Sequence, residues 1–111
     1  MKRQKTKSWF AVRCFFQFPH APKKRKKRLY EERITLWLAA DIDEAITLAE
    51  QEATEYAANC MCKYLQLAQA FALSDPTIGP GTELFSLFRE SNKKSDAYLD
   101  RFFATGFERS R

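Results

Sequence analysis

Alternation of apolar and mixed side chains marks the segment from residue 9 to residue 18. The even-numbered positions are wholly apolar, and the odd-numbered positions mix aromatic, small and polar residues. Because successive side chains of a strand point to opposite faces, this pattern predicts a strand with one core face. Pro19 and Pro22 predict its end, since proline donates no hydrogen bond to a neighbouring strand.

A second alternating segment covers residues 30–40. One of its faces is apolar except at Glu32, with the members Tyr30, Ile34, Leu36, Leu38 and Ala40. The other face carries Glu31, Arg33, Thr35 and Trp37. Two alternating strands joined by a polar, proline-containing loop predict an antiparallel hairpin.

A helix is predicted from about residue 43 to residue 60. Asp41 is placed to cap it, and Glu44 follows three residues later, as in a capping box. Apolar residues then recur at steps of three and four, which is typical of an amphipathic helix. We expect the side that carries Ile46, Ala49, Ala53 and Tyr56 to pack on the sheet.

Two further strands and a last helix complete the predicted order. Residues 64–73 alternate as a strand does, although their Ala, Leu and Gln content favours helix, and we interpret them as a strand. Residues 83–89 are apolar on both sides, which is typical of an interior strand. Ser95 is placed to cap the last helix and Gly106 to end it. Its predicted buried stripe consists of Tyr98, Leu99, Phe102 and Phe103.

The predicted fold class is therefore α+β, in the order ββαββα, with an antiparallel sheet and the helices on one face. The length of 111 residues indicates one domain over residues 9–106, with a basic tail at 1–8, a basic loop inserted at 19–29 and a tail at 107–111. No segment approaches a membrane span, so no membrane partner is expected. Three cysteines without a spaced framework indicate a reducing compartment, and the predicted location is cytoplasmic.

Charge is divided unevenly along the chain. Residues 1–28 hold eleven Lys or Arg and no acid, whereas residues 29–111 hold eight basic and fourteen acidic residues. The candidate anion or nucleic-acid contacts are Lys23, Lys24, Arg25, Lys26, Lys27 and Arg28. Such a run can follow phosphates without sequence specificity. The alternative is a solvated loop that keeps the hairpin from pairing with other chains.

The outward face of the hairpin is the candidate protein interface. It is predicted to carry Trp9, Arg13, Phe15, Arg33 and Trp37. Aromatic residues beside arginines are common in interfaces, so a homodimer through this face is expected. Cover by the last helix of the same chain is the alternative that the sequence leaves open.

Catalytic and metal chemistry are not expected. Cys60 and Cys62 are separated by a single residue, whereas zinc sites use pairs two to four residues apart with further ligands. The only histidine, His20, lies in the loop, and no glycine-rich phosphate loop is present. No catalytic residue, metal or cofactor is therefore predicted.

Several segments together carry a resemblance to a known family. They are Trp9-Phe10-Ala11-Val12-Arg13, Tyr30-Glu31-Glu32-Arg33, Thr35-Leu36-Trp37, Asp43-Glu44-Ala45-Ile46, Phe85-Ser86-Leu87 and Tyr98-Leu99-Asp100-Arg101-Phe102-Phe103. The chain resembles a family of small bacterial proteins of unknown function. The resemblance implies a stand-alone bacterial cytoplasmic domain, and it does not indicate which activity such a domain has. The expected function is a non-catalytic accessory or immunity-type interaction protein, and the alternative is a nucleic-acid-associated protein.

Overall fold

The computed structural model describes residues 6–19 and 28–102. Its elements are β1 (Ser8–Phe18), β2 (Leu29–Ala39), α1 (Ile42–Cys60), β3 (Lys63–Ala72) and α2 (Ser95–Phe102). The predicted α+β class is confirmed. Neither described helix is both long enough and apolar enough to cross a membrane.

The three strands form one antiparallel sheet in the order β2-β1-β3. β1 is central, which suits a strand whose even-numbered face is entirely apolar. Its register with β2 is unbroken from Ser8 opposite Ala39 to Phe18 opposite Leu29. The predicted hairpin is therefore confirmed.

β3 confirms the prediction of a strand in a segment whose composition also favours helix. Its pairing with β1 is irregular, because Cys14 lies opposite Ala68 but Phe16 lies opposite Tyr64. Three residues of β3, at positions 65–67, thus lie opposite the single residue Phe15 of β1. Gln66, the middle one, has a φ of 61°, which is a left-handed conformation. Such a bulge bends the strand and disturbs the ladder of its edge.

α1 begins as its sequence predicts. The Asp41 carboxylate accepts a hydrogen bond from the Glu44 backbone N–H at 2.9 Å, so Asp41 is the N-cap. The buried residues of the helix recur every fourth position and are all small: Ala45, Ala49, Ala53 and Ala57. Small side chains let the helix axis lie close to the sheet. The predicted packing side is confirmed at Ala53, which is 0% exposed.

The core lies between α1 and the even-numbered face of β1. Phe10, Val12, Cys14 and Phe16 of β1 are all buried there. The Phe16 ring meets the Tyr56 ring edge-on, with centroids 5.0 Å apart. Full burial of a side chain of this size contributes about 1.5 to 3 kcal/mol.

The fourth strand predicted at residues 83–89 is wrong, because the segment pairs with no strand. Phe85 instead packs its ring against Phe71 of β3 at a centroid distance of 4.7 Å. Phe88, on the other side of the segment, is 97% exposed. The apolar residues on both sides of this segment therefore do not place it inside the sheet. Phe85 instead packs on the face of the sheet away from α1, against Phe71 and Arg13.

α2 forms where the sequence predicts a helix, but among the described residues it lies against no strand and no other helix. No residue of α2 lies within 8 Å, Cα to Cα, of another described element. Leu99 is 52% exposed, so the predicted buried stripe is wrong at this position. Phe103 and Gly106 lie outside the described residues.

Candidate interaction surface

The register of the hairpin divides the predicted interface residues between two faces. Trp9, Arg13 and Phe15 lie on the face without α1, which we call the open face. Arg33 and Trp37 lie opposite Cys14 and Phe10, so they share the face that α1 covers. The prediction that all five share one face is wrong, because a register that differs by one residue exchanges the faces of a whole strand.

Contacts with α1 explain why Arg33 belongs on the helix face. Its guanidinium forms an ion pair with Glu52 and lies 4.0 Å from the centroid of the Tyr56 ring. The hydrogen bond with Glu52 raises the pKa of Arg33. The indole N–H of Trp37 donates to Thr35 at 2.7 Å. Both predicted interface residues therefore already have partners within the chain.

Two more polar contacts join α1 to the sheet. The Tyr56 hydroxyl donates to Glu31 at 2.6 Å, and this hydrogen bond is the main cause that raises the Tyr56 pKa. The Tyr64 hydroxyl donates to Glu50 at 2.6 Å. Burial, followed by this hydrogen bond, raises the pKa of Tyr64. Both phenols stay neutral at physiological pH, and the contacts hold the helix on the sheet.

Arg13 lies at the centre of the open face. It donates to Gln69 at 2.6 Å and to Glu32 at 3.3 Å. Its guanidinium carbon lies 5.2 Å from the Phe15 ring centroid and 4.9 Å from that of Phe85. These contacts cover the part of the open face around Arg13, and exposed side chains remain on both β2 and β3.

The part of the open face over β2 carries large apolar side chains. Three residues of β2 on the open face are each about half exposed: Tyr30 at 54%, Ile34 at 42% and Leu38 at 44%. We call these three residues the open strip. The sequence pattern had placed them in the core, and the signal that could have found them is Glu32, which interrupts the same face.

The outer edge of β2 is also unpaired within the described part of the chain. All eleven residues of the strand pair with β1 on one side only. The edge of β3 differs, because the bulge at Gln66 interrupts its regular backbone. β2 is therefore the regular free edge of this sheet.

Five of the six predicted anion contacts, at residues 23–27, lie outside the described residues. Arg28 is described, and it is exposed immediately before β2. An open cavity of about 400 Å³ lies at the same end of the sheet, lined by Gln17, Phe18, Pro19, Met61, Cys62 and Lys63. Among the described residues of this lining, Lys63 is the one that carries a positive charge.

The cysteines do not form a cluster with other metal-binding side chains. Residues 6–19 and 28–102 contain no group of three or more His, Cys, Asp or Glu side chains that could hold a metal. Cys14 is buried, Cys60 is exposed and Cys62 is half-buried, and all three are free thiols. That the protein contains no metal stays a prediction.

Comparison with family models, curated proteins and solved structures finds no match to this chain. The resemblance to a family of small bacterial proteins therefore stays an expectation from the sequence. The open face and the edge of β2 are the features of the described structure that point to a function.

Proposed function

We propose that the protein is a non-catalytic interaction module that binds another protein through the open face of its sheet. The observation that carries this proposal is the open strip, where three large apolar side chains of one strand are about half exposed. Large apolar side chains that a small domain leaves exposed along one strand are candidates for an interaction site, and Glu32 lies between two of them. In this proposal the chain itself is an accessory or immunity-type partner of another protein in the bacterial cytoplasm.

The chemistry of the face suits a protein partner. Aromatic side chains and an arginine are the residue types that most often contribute strongly to binding in protein interfaces. Here Trp9, Phe15 and Tyr30 supply aromatic surface around Arg13, whose guanidinium is already oriented by Glu32 and Gln69. A preorganised arginine loses less conformational entropy on binding than a free one.

The titratable side chains of the helix face support a non-catalytic role. Glu31, Glu50 and Glu52 each accept a hydrogen bond from a tyrosine or arginine of the chain. Burial raises the pKa of the Cys14 thiol, which makes it a weak nucleophile. These groups have structural partners, and their role is to hold α1 on the sheet.

Isolation of the tagged full-length chain from its natural host tests the proposal. We expect the wild type to bring down one defined protein in a fixed ratio. Trp9→Glu places a charge on the open face, and this variant should no longer bring down the partner protein. Gln51→Glu, on the exposed side of α1, is the matched control and should retain it.

Circular dichroism of both variants shows whether each is folded. Recovery of the wild type without any partner protein would contradict the proposal. Equal recovery of the partner by wild type and folded Trp9→Glu would show that binding does not use the open face.

The uneven charge of the chain supports a second candidate, a nucleic-acid-associated protein that contacts phosphates through residues 23–28. The first 28 residues carry eleven of the nineteen Lys and Arg residues. Binding through them should weaken steeply as salt rises, because each phosphate contact releases counterions. Neutralising all six loop charges changes the net charge from +5 to −1, since 5 − 6 = −1.

The neutralised variant should lose low-salt binding to duplex and single-stranded nucleic acid while it keeps the stability of the wild type. Equal, weak binding by both proteins at low salt would exclude this second function. Unfolding of the variant would instead show that the loop charges stabilise the acidic remainder of the chain.

A further inference from the structure

We propose that β2 pairs antiparallel with β2 of a second copy, so that two three-stranded sheets become one sheet of six strands. The inference rests on the proposed function, which it deepens by naming one partner and the way that partner is bound. The open face gives the module its apolar surface, and the edge of β2 gives it a place for backbone pairing.

The two edges of the sheet differ in a way that favours pairing at β2. Proteins protect free edges with bulges, prolines or short strands, because an unprotected edge offers a row of unpaired backbone donors and acceptors. β3 carries a bulge with the left-handed Gln66. β2 runs for eleven residues without a bulge or a proline. Charged side chains also protect edges, but the three in β2 are already bound within the chain: Glu31 to Tyr56, Glu32 to Arg13 and Arg33 to Glu52. An edge of this kind accepts another strand readily.

Exposure of large apolar side chains is concentrated on the same strand. The described strands contain five exposed large apolar side chains, and four of them belong to β2: Leu29 (45%), Tyr30 (54%), Ile34 (42%) and Leu38 (44%). The fifth is Leu67 of β3, at 50%. A central strand has neighbours on both sides, and an edge strand has a neighbour on one side only. Pairing at β2 would give these side chains their missing neighbour.

The sequence of β2 is complementary to itself in one register. A two-fold axis at Ile34, the midpoint of the strand, pairs all eleven residues, because Leu29 then lies opposite the partner's Ala39. On the open face, Tyr30 lies opposite the partner's Leu38 and the two copies of Ile34 face each other. Both are apolar cross-strand pairs, and side-chain packing between directly opposite residues stabilises antiparallel strands.

The neighbouring registers are less favourable. Opposite residues of an antiparallel pair share a face, so a two-fold axis passes through a residue position. An axis at Arg33 places two arginines opposite each other, and an axis at Glu32 does the same with two glutamates. Like charges directly opposite each other destabilise a pair of strands. Axes closer to Ala39 leave part of the strand unpaired.

Both α1 helices lie on the same face of the resulting sheet, and both open strips lie side by side on the other. Arg33 needs no new partner in this arrangement, because Glu52 of its own chain already binds it. The dimer therefore brings the apolar side chains of two open strips together on one face, where Glu32 of each copy lies opposite the partner's Leu36. A second copy thus completes the surface that the proposed function uses.

Sedimentation analysis of the full chain tests this pairing. We expect the wild type to be a dimer and Ile34→Lys to be a folded monomer, because two lysines would face each other at the two-fold axis. Leu67→Lys is the matched control, since Leu67 is a similarly exposed leucine on the other edge strand, and it should stay dimeric. An equimolar mixture of Ile34→Lys and Ile34→Glu should form dimers again, although each variant alone is a monomer.

The mixing experiment is specific to the register, since only an axis at Ile34 brings the two new charges together. A monomeric wild type at high concentration would overturn the proposal, and so would a dimeric Ile34→Lys or a monomeric Leu67→Lys. Failure of the mixture to form dimers would overturn the register. A monomeric wild type that still binds its partner through Trp9 would leave the proposed function intact.

Discussion

Tyr64 contributes both an aromatic ring and a hydrogen-bonded hydroxyl to the core of this protein. Its ring lies 5.5 Å from the Phe16 ring, between centroids, and its hydroxyl binds Glu50 of α1. Burial raises its pKa above the usual tyrosine value of about 10. One side chain therefore joins β3, β1 and α1, and its protonation contributes to stability.

Replacement of Tyr64 by Phe removes the hydrogen bond and keeps the ring. We expect the free energy of unfolding at neutral pH to fall by about 1 kcal/mol, the usual net contribution of such a bond. The matched control Tyr30→Phe removes an exposed hydroxyl and should stay within about 0.5 kcal/mol of the wild type. Urea titration of each protein measures the difference, and equal stabilities for Tyr64→Phe and wild type would contradict this account of the bond.

The same side chain predicts how stability depends on alkaline pH. Because its pKa is raised, the folded state keeps the phenol proton longer than the unfolded state does. The stabilising contribution is therefore complete below about pH 10 and is lost as pH rises toward the folded pKa. Unfolding measured above pH 10 should show a stability that falls with pH, and less steeply in Tyr64→Phe than in the wild type. An equal slope in both proteins would show that Tyr64 is not the cause.

The three thiols should react in the order of their exposure. Burial is the main cause that raises the pKa of Cys14, and it also raises that of Cys62, whereas Cys60 is exposed. Because the thiolate is the reactive form, we expect iodoacetamide to modify Cys60 first, Cys62 more slowly and Cys14 only after unfolding. Mass spectrometry of timed samples follows each site. Modification of Cys14 in the native protein as fast as Cys60 would contradict its burial.

At the scale of elements, the packing of α1 on the sheet can be tested at Ala53. Ala53 is 0% exposed against the sheet, so a larger side chain has no free space there. We expect Ala53→Leu to destabilise the protein by about 1 to 3 kcal/mol through overpacking. Gln51→Leu adds the same side chain on the exposed side of the helix and should change stability by less than about 0.5 kcal/mol. Denaturant titration compares them, and equal effects would mean that the helix faces the sheet differently.

Sequence pattern was sufficient for the elements that carry a strong local signal. The alternation from Trp9 to Phe18 and the small residues of α1 fix which side of each faces the core. Both faces of β2 combine apolar and charged residues, so its alternation alone cannot say which face meets α1. The register of β2 with β1 and the ion pair of Arg33 with Glu52 determine which face of β2 meets α1. Both depend on residues far away in the sequence, so the local pattern does not reveal them.

The predictions for residues 83–89 and for the packing of α2 were wrong for a related reason. Residues 83–89 are apolar enough for an interior strand, but a strand also needs a regular edge to pair with, and the edge of β3 is bulged. The sequence from residue 95 onward has the predicted caps and stripe of an amphipathic helix, and this pattern predicts the helix without predicting what it packs against. Leu99 is exposed because no other described element approaches α2.

At the scale of the whole molecule, the sheet has two unequal faces and two unequal edges. α1 covers one face, and Phe85 covers only part of the other. The bulge disturbs one edge, and the other is regular for eleven residues. The uncovered face and the regular edge meet at β2, so the account of this protein as an interaction module depends on that strand.

Residue-resolved hydrogen exchange of β2 tests this central claim most directly. In an edge strand, alternate backbone N–H groups point toward the neighbouring strand and away from it. We expect the outward N–H groups of β2 to exchange slowly in the concentrated wild type and quickly after dilution or in Ile34→Lys, while the inward groups stay slow throughout. Outward groups that exchange in the concentrated wild type as quickly as those of Ile34→Lys would contradict the pairing of β2.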